Sequence, residues 1–170
     1  MAAILLLYFT LRASPPPVNH GPSDAMYTHE NFAADVARNF EFLESEYGMR
    51  REPPNVAGVG SWVVYANSLL KIVVEHEVGG YCGVSVVNLR HEKRDPLERS
   101  EFDLEEIVTV SGPRQTRRQD PRSMSEAVAK CAETLRSVGA SVLKGDFEAL
   151  HARQRRHVEA VRRNNPLSSN

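Results

Sequence analysis

Between Ser61 and Leu89 the chain reads SWVVYANSLLKIVVEHEVGGYCGVSVVNL, dense in valine, isoleucine and aromatic residues and cut twice by turn-forming pairs. Branched and aromatic side chains suit a pleated, half-buried surface, so this stretch predicts strands rather than helix. Asn67-Ser68 separates Trp62–Ala66 from Leu69–Val78, and Gly79-Gly80 separates that strand from Tyr81–Leu89. Gly-Gly suits a two-residue hairpin, in which both central positions need positive φ. The expectation is an antiparallel β-meander that the rest of the chain must cover.

Two-residue turns would also set the register, because cross-strand partners share a face. One face would then carry Val63, Tyr65, Leu70, Ile72, Val74, His76, Val78, Tyr81, Gly83, Val87 and Leu89, with no formal charge among them. That face should pack on helices. The other would carry Trp62, Val64, Leu69, Lys71, Val73, Glu75, Glu77, Cys82, Val84 and Val86. It is too polar for a dry core and too apolar for a purely solvated surface.

The flanking segments have helical spacing. Phe32, Val36, Phe40, Leu43 and Tyr47 recur at three- and four-residue steps, with Thr28 or Asn31 as a cap and Gly48 as a stop. The opposite side of this helix, with Asp35, Arg38, Glu41, Glu44 and Glu46, reads as its solvent face. Met49 to Gly60, with Pro53 and Pro54, reads as a loop. Ser100 to Val110 fits either a short helix or, over Ile107–Val110, a fourth strand. A long helix is expected from about Ser123 to Ser141, and a last one from Asp146 with Phe147, Leu150, Val158 and Val161 as its apolar stripe. The predicted fold is therefore α+β: a meander of three to four strands packed on one face by an N-terminal helix and two C-terminal helices.

The chain has 170 residues, a length that suits one domain able to bury its own core without a metal or disulfide. Its apolar run Ile4–Leu11 is too short to span a bilayer, and Arg12 follows it where a signal peptide would carry charge before it. Met26 stands just before the first periodic segment. The division expected is an N-terminal extension over 1–25, disordered or upstream of the native start, a domain over 26–163 and a frayed tail over 164–170. Cys82 and Cys131 are the only cysteines, and no second thiol lies at metal-ligand spacing from either. Two reduced thiols in a cytoplasmic protein are the expectation.

The net charge of −1 excludes coating a nucleic acid or an anionic membrane through the overall field. Arginines do cluster locally, as Arg114, Arg117, Arg118 and Arg122 and as Arg153, Arg155, Arg156, Arg162 and Arg163. Interleaved aromatic groups for base stacking are missing there, apart from Phe147. No two histidines share the spacing that aims both at one ion, no G-x-S-x-G elbow or P-loop occurs, and Gly58-Val-Gly60 precedes a strand instead of opening a helix. Neither a catalytic residue nor a cofactor is expected.

The order of segments FEFLESEYGM, WVVYANSLLKIVVEHE, FDLEEIV and VLKGDFEAL resembles small bacterial α+β proteins, some of them immunity proteins of polymorphic toxin systems. That resemblance implies a non-enzymatic protein that binds and neutralises a partner, such as a toxin domain.

Two functional expectations follow. In the first, the mixed face docks a protein partner through Trp62, Val64, Val73, Glu75, Glu77, Val84 and Val86, with a homodimer as one form of that contact. In the second, a pocket near His76, Tyr65, Tyr81 and Gly83 takes a small molecule, His76 being the group that titrates near neutrality. Nucleic-acid binding through the arginines is the third and weakest reading, and no membrane contact is expected.

Overall fold

A computed structural model describes residues 27–57, 60–77, 81–92, 98–111, 121 and 123–164. The expectations for residues 1–25, for the tail beyond 164 and for the arginines at 114, 117, 118 and 122 fall outside these residues. Its centre is the expected meander. Strands β3 (Gly60–Ala66), β4 (Leu70–Glu77), β5 (Tyr81–Asn88) and β6 (Glu101–Asp103) lie side by side and antiparallel in chain order, once the edge strands β1 (Arg50–Arg51) and β2 (Asn55–Ala57) are set beside β3. The helices are α1 (His29–Asn39), α2 (Glu41–Ser45), α3 (Leu104–Ser111), α4 (Met124–Val138), α5 (Ala140–Leu143) and α6 (Glu148–Asn164).

The two hairpins depart from two-residue turns in different ways. In the first, Ala66 pairs with Lys71 and Val63 with Val74. The Asn67 carboxamide oxygen accepts from the amides of Leu69 and Leu70 at 2.9 and 3.1 Å, which widens the turn. A slip of two leaves every side chain on its expected face, because the strand repeat is two. In the second, Glu77 pairs with Tyr81, His76 with Cys82, Val74 with Val84 and Ile72 with Val86. A slip of one reverses the strand. Val84 and Val86, expected outside, are buried at 5% and 0% exposure, while Tyr81, Gly83 and Val87, expected inside, point outward and Leu89 is exposed. Leu69, also expected outside, packs against the core from its turn and lies 3.5 Å from where a Cβ on Gly145 would sit.

The segment expected as a loop over 49–60 contains two short strands, β1 and β2. Arg51 faces Tyr65 and Asn55 faces Trp62, so three residues, Glu52 to Pro54, stand opposite two. The Glu52 amide still donates to the Val64 carbonyl at 2.8 Å. Such a bulge accommodates two prolines that have no N–H for the ladder, and it blunts the sheet edge against further pairing.

The described helices pack on one face of the sheet, burying Val63, Tyr65, Leu70, Ile72, Val74, Val84 and Val86 with Phe32, Val36, Phe40, Leu43, Val128 and Leu135. The expected first helix is broken at Phe40 (φ −102°, ψ 12°), yet Thr28 caps its start and Gly48, at φ 60°, turns the chain after it. Asp35, expected outside, is buried at 8% and accepts from the Tyr27 hydroxyl at 3.0 Å. The 100–110 segment resolves into a short strand, β6, followed by a helix, α3; the Asp103 amide donates to Glu106 at 3.1 Å in the first turn. The long fourth helix stops at Gly139, where a Cβ would come within 2.5 Å of the Leu135 carbonyl oxygen.

The reversed face of β5 has a direct test in urea unfolding. Val86→Lys buries an ammonium among apolar side chains and is expected to destabilise by more than about 3 kcal/mol. Val87→Lys, on the outer face beside Glu101, should stay within about 1 kcal/mol of the parent chain. Equal losses would contradict the pairing.

Candidate functional site

Three places bring chemistry-bearing side chains together. The first is the outer face of the sheet. Cross-strand pairing there makes three rows: Trp62–Glu75–Gly83, Val64–Val73–Ser85 and Ala66–Lys71–Val87. Trp62, Val64, Val73, Glu75, Lys71 and Val87 are half-buried, and the core built with the described helices lies on the other side of the sheet. Ser85 donates to Glu101 at 2.8 Å, which ties β5 to β6 on this side. Gly83 is the floor of the upper row. A Cβ there would come within 2.6 Å of Glu75 Oε1 and 2.8 Å of Tyr81 Cε1, so both side chains lean across the space glycine leaves.

Of the residues expected to bind a partner, Trp62, Val64, Val73 and Glu75 share this face, and the backbone register puts Glu77 in line with them. Val84 and Val86 do not, because the one-residue slip turns both into the core.

The second place is the corner around His76. The ring sits edge-on to Tyr27 at 5.8 Å and tilted on Phe32 at 5.4 Å, with Ser61 as its cross-strand neighbour. Burial, and secondarily the proximity of His29, lowers its pKa below the ordinary imidazole value. The expected pocket does not assemble around it. Tyr65 is on the same face but fully buried, its hydroxyl donating to the Val36 carbonyl at 3.4 Å and its pKa raised by burial to about 12. Tyr81 and Gly83 are on the opposite side of the sheet, and Cys82 takes the place beside His76 that Gly83 was expected to hold.

Cys82 lies next to Cys131 of α4, whose thiol donates to the Cys82 carbonyl at 3.9 Å. The two are not joined by a disulfide. The hydrogen bond to Cys131, then burial, pushes the Cys82 thiol up and away from the reactive thiolate form.

The third place was not legible in the sequence. His91, after β5, stacks on His151 of α6 at 4.2 Å between ring centroids. Glu98 approaches His91 at 3.5 Å, Asn88 approaches His151 at 3.4 Å, and Phe102 meets the His151 ring edge-on at 5.2 Å. Burial and then the His91 neighbour lower the His151 pKa. The two imidazoles are 60 residues apart in sequence, so no local spacing rule could pair them. Among the described residues no group of three or more His, Cys, Asp or Glu side chains is placed to hold a metal ion.

Open clefts lie elsewhere. One, of about 610 Å³, runs between α3 and α6 and is lined by Thr109, Val110, Ala149, Ala152, Arg153 and Arg156. A second, of about 430 Å³, lies over Phe42, Ala129, Ala132 and Arg136. Neither includes any member of the expected pocket. Arg153, Arg155, Arg156, Arg162 and Arg163 are exposed on α6, but Phe147, the one aromatic near them, is buried against Phe102 and His151 and offers no stacking face. Among the described residues no helix is long and apolar enough to cross a membrane.

Comparison with protein-family models, with curated proteins and with solved structures finds no match to this chain.

The two lowered histidines fix a sign for the pH dependence of stability. An unfolded imidazole titrates near 6.5, so below that pH the unfolded chain binds protons that folded His76 and His151 resist. The stability tied to each group is complete above about pH 6.5 and declines as pH falls through and below that value. Melting temperature is therefore expected to drop from pH 7.5 to 5.5, less steeply in His151→Gln. A rise over that window would contradict the assignment.

Proposed function

We propose that this chain is a non-enzymatic protein-binding domain that docks its partner on the outer face of the sheet, around Trp62. One observation carries the reading. The described helices cover one face of the sheet, and the other keeps a tryptophan and three valines half-exposed within a frame of Lys71, Glu75 and Glu101. A large, stiff aromatic side chain inside an apolar patch with a charged rim is the usual form of an interface anchor. Both sheet edges argue for contact through the face: one is bulged at Pro53-Pro54 and the other ends in the three-residue β6. Neutralising a toxin domain, the role implied by the sequence resemblance, needs no more than such a face.

The small-molecule alternative loses support because the sheet separates its four residues. The chain's local basic surface on α6 lacks the stacking groups a nucleic-acid reading needs.

Trp62→Ala removes a side chain half-buried among its strand neighbours and should cost the fold about 1–3 kcal/mol. It should weaken partner binding by about 2 kcal/mol or more, as removal of an anchor does. Paired thermal melts and affinity measurements on parent and variant separate the two effects. A large fall in melting temperature with unchanged binding would show instead that Trp62 is part of the core.

A further inference from the structure

We infer that the partner docked on the outer face is a second copy of this chain, related by a two-fold axis that runs across the strands above Val64, Val73 and Ser85. The inference rests on the reading of this face as a docking surface and names its occupant.

The argument comes from the three rows. A two-fold axis lying between two facing sheets, perpendicular to the strands and over the middle row, sets each upper row on the lower row of the other copy. Strand β4 presents Lys71, Val73 and Glu75 in that order, so Lys71 meets Glu75 of the second copy twice over while Val73 meets its own counterpart. On β3, Val64 lies on Val64, and the large Trp62 lies over Ala66, the smallest side chain on its strand's outer face apart from Gly60. On β5, Val87 meets the Glu75 and Tyr81 side chains that lean over Gly83.

On β4 charge opposes charge around a central valine pair and on β3 large opposes small, while Ser85 and, at the β6 edge, Asp103 meet their own counterparts. The alternative axis, parallel to the strands, would put Lys71 on Lys71 and Glu75 on Glu75. Like charges facing each other across an interface disfavour that arrangement. The sheet twist lets two such faces pack at about 30° with side chains interdigitating. Eight residues of β4 by four strand spacings span roughly 500 Å² in plan, at the low end of specific interfaces, so the dimer should depend on concentration.

Sedimentation equilibrium over a range of chain concentrations, read together with acrylamide quenching of Trp62, tests this. Trp62 is the sole tryptophan, so its emission reports on this face alone. The expected result is a species of twice 19.0 kDa at high concentration, with Trp62 losing access to quencher over the same range. Lys71→Glu and Glu75→Lys should each weaken association about tenfold or more, and the double variant K71E/E75K should recover most of it. Circular dichroism melts check that all three remain folded.

A monomer whose Trp62 stays open to quencher would overturn the second-copy assignment and leave the docking face for a different protein. A monomer whose Trp62 is shielded at every concentration would overturn both, because the chain itself then covers the face. A dimer indifferent to the charge reversals, or one not recovered in the double variant, would place the contact elsewhere and overturn the assignment.

Discussion

The pairing of β4 with β5 decides which side chains this molecule keeps dry. With Ile72 opposite Val86 and Val74 opposite Val84, two valines join a core already made by Phe32, Phe40, Tyr65 and Leu135. Shifted by one, the same strand would turn Gly83, Ser85 and Val87 inward and leave both valines in water. Burying a valine side chain stabilises by about 1.5–3 kcal/mol. The hydroxyl of Ser85 would also lose its outer partner Glu101 and enter an apolar interior. Packing therefore selects the register.

From that choice the rest of the architecture follows. The dry face takes the helices, with Thr28 and Ser123 capping α1 and α4 and Gly139 letting the chain pass sharply into α5. The wet face is left with Trp62, Val64, Val73 and Val87 in a charged frame. Two polar side chains on the dry side are held by hydrogen bonds: Tyr27 donates to Asp35 and Tyr65 to the Val36 carbonyl.

Much of this was legible in the residues, and the failures have physical causes. The alternation in β3 and β4 is strong, with Val63, Tyr65, Ile72 and Val74 against Trp62, Lys71 and Glu75, so their faces were correctly read even though the first turn is wider than expected. In β5 both alternating sets are apolar, Val84 and Val86 against Val87 and Leu89, so periodicity cannot choose between them. The choice then fell to turn length, where Gly-Gly argues for two residues and three separate the last observed pair, Glu77 with Tyr81. That single error placed Val84 and Val86 on the outer face and Tyr81 and Gly83 beside His76. Trp62, Val64, Val73 and Glu75 lie on the outer face as expected because they belong to the strands whose pattern was unambiguous. The His91–His151 stack was out of reach because only tertiary packing brings those residues together.

The most direct test of the account is the set of cross-strand proton contacts between β4 and β5 in a nuclear Overhauser spectrum. The account requires contacts that join Ile72 to Val86, Val74 to Val84 and His76 to Cys82 as direct cross-strand pairs. A ladder displaced by one, joining Ile72 to Val87, Val74 to Ser85 and His76 to Gly83, would return Val84 and Val86 to the Trp62 side and contradict it.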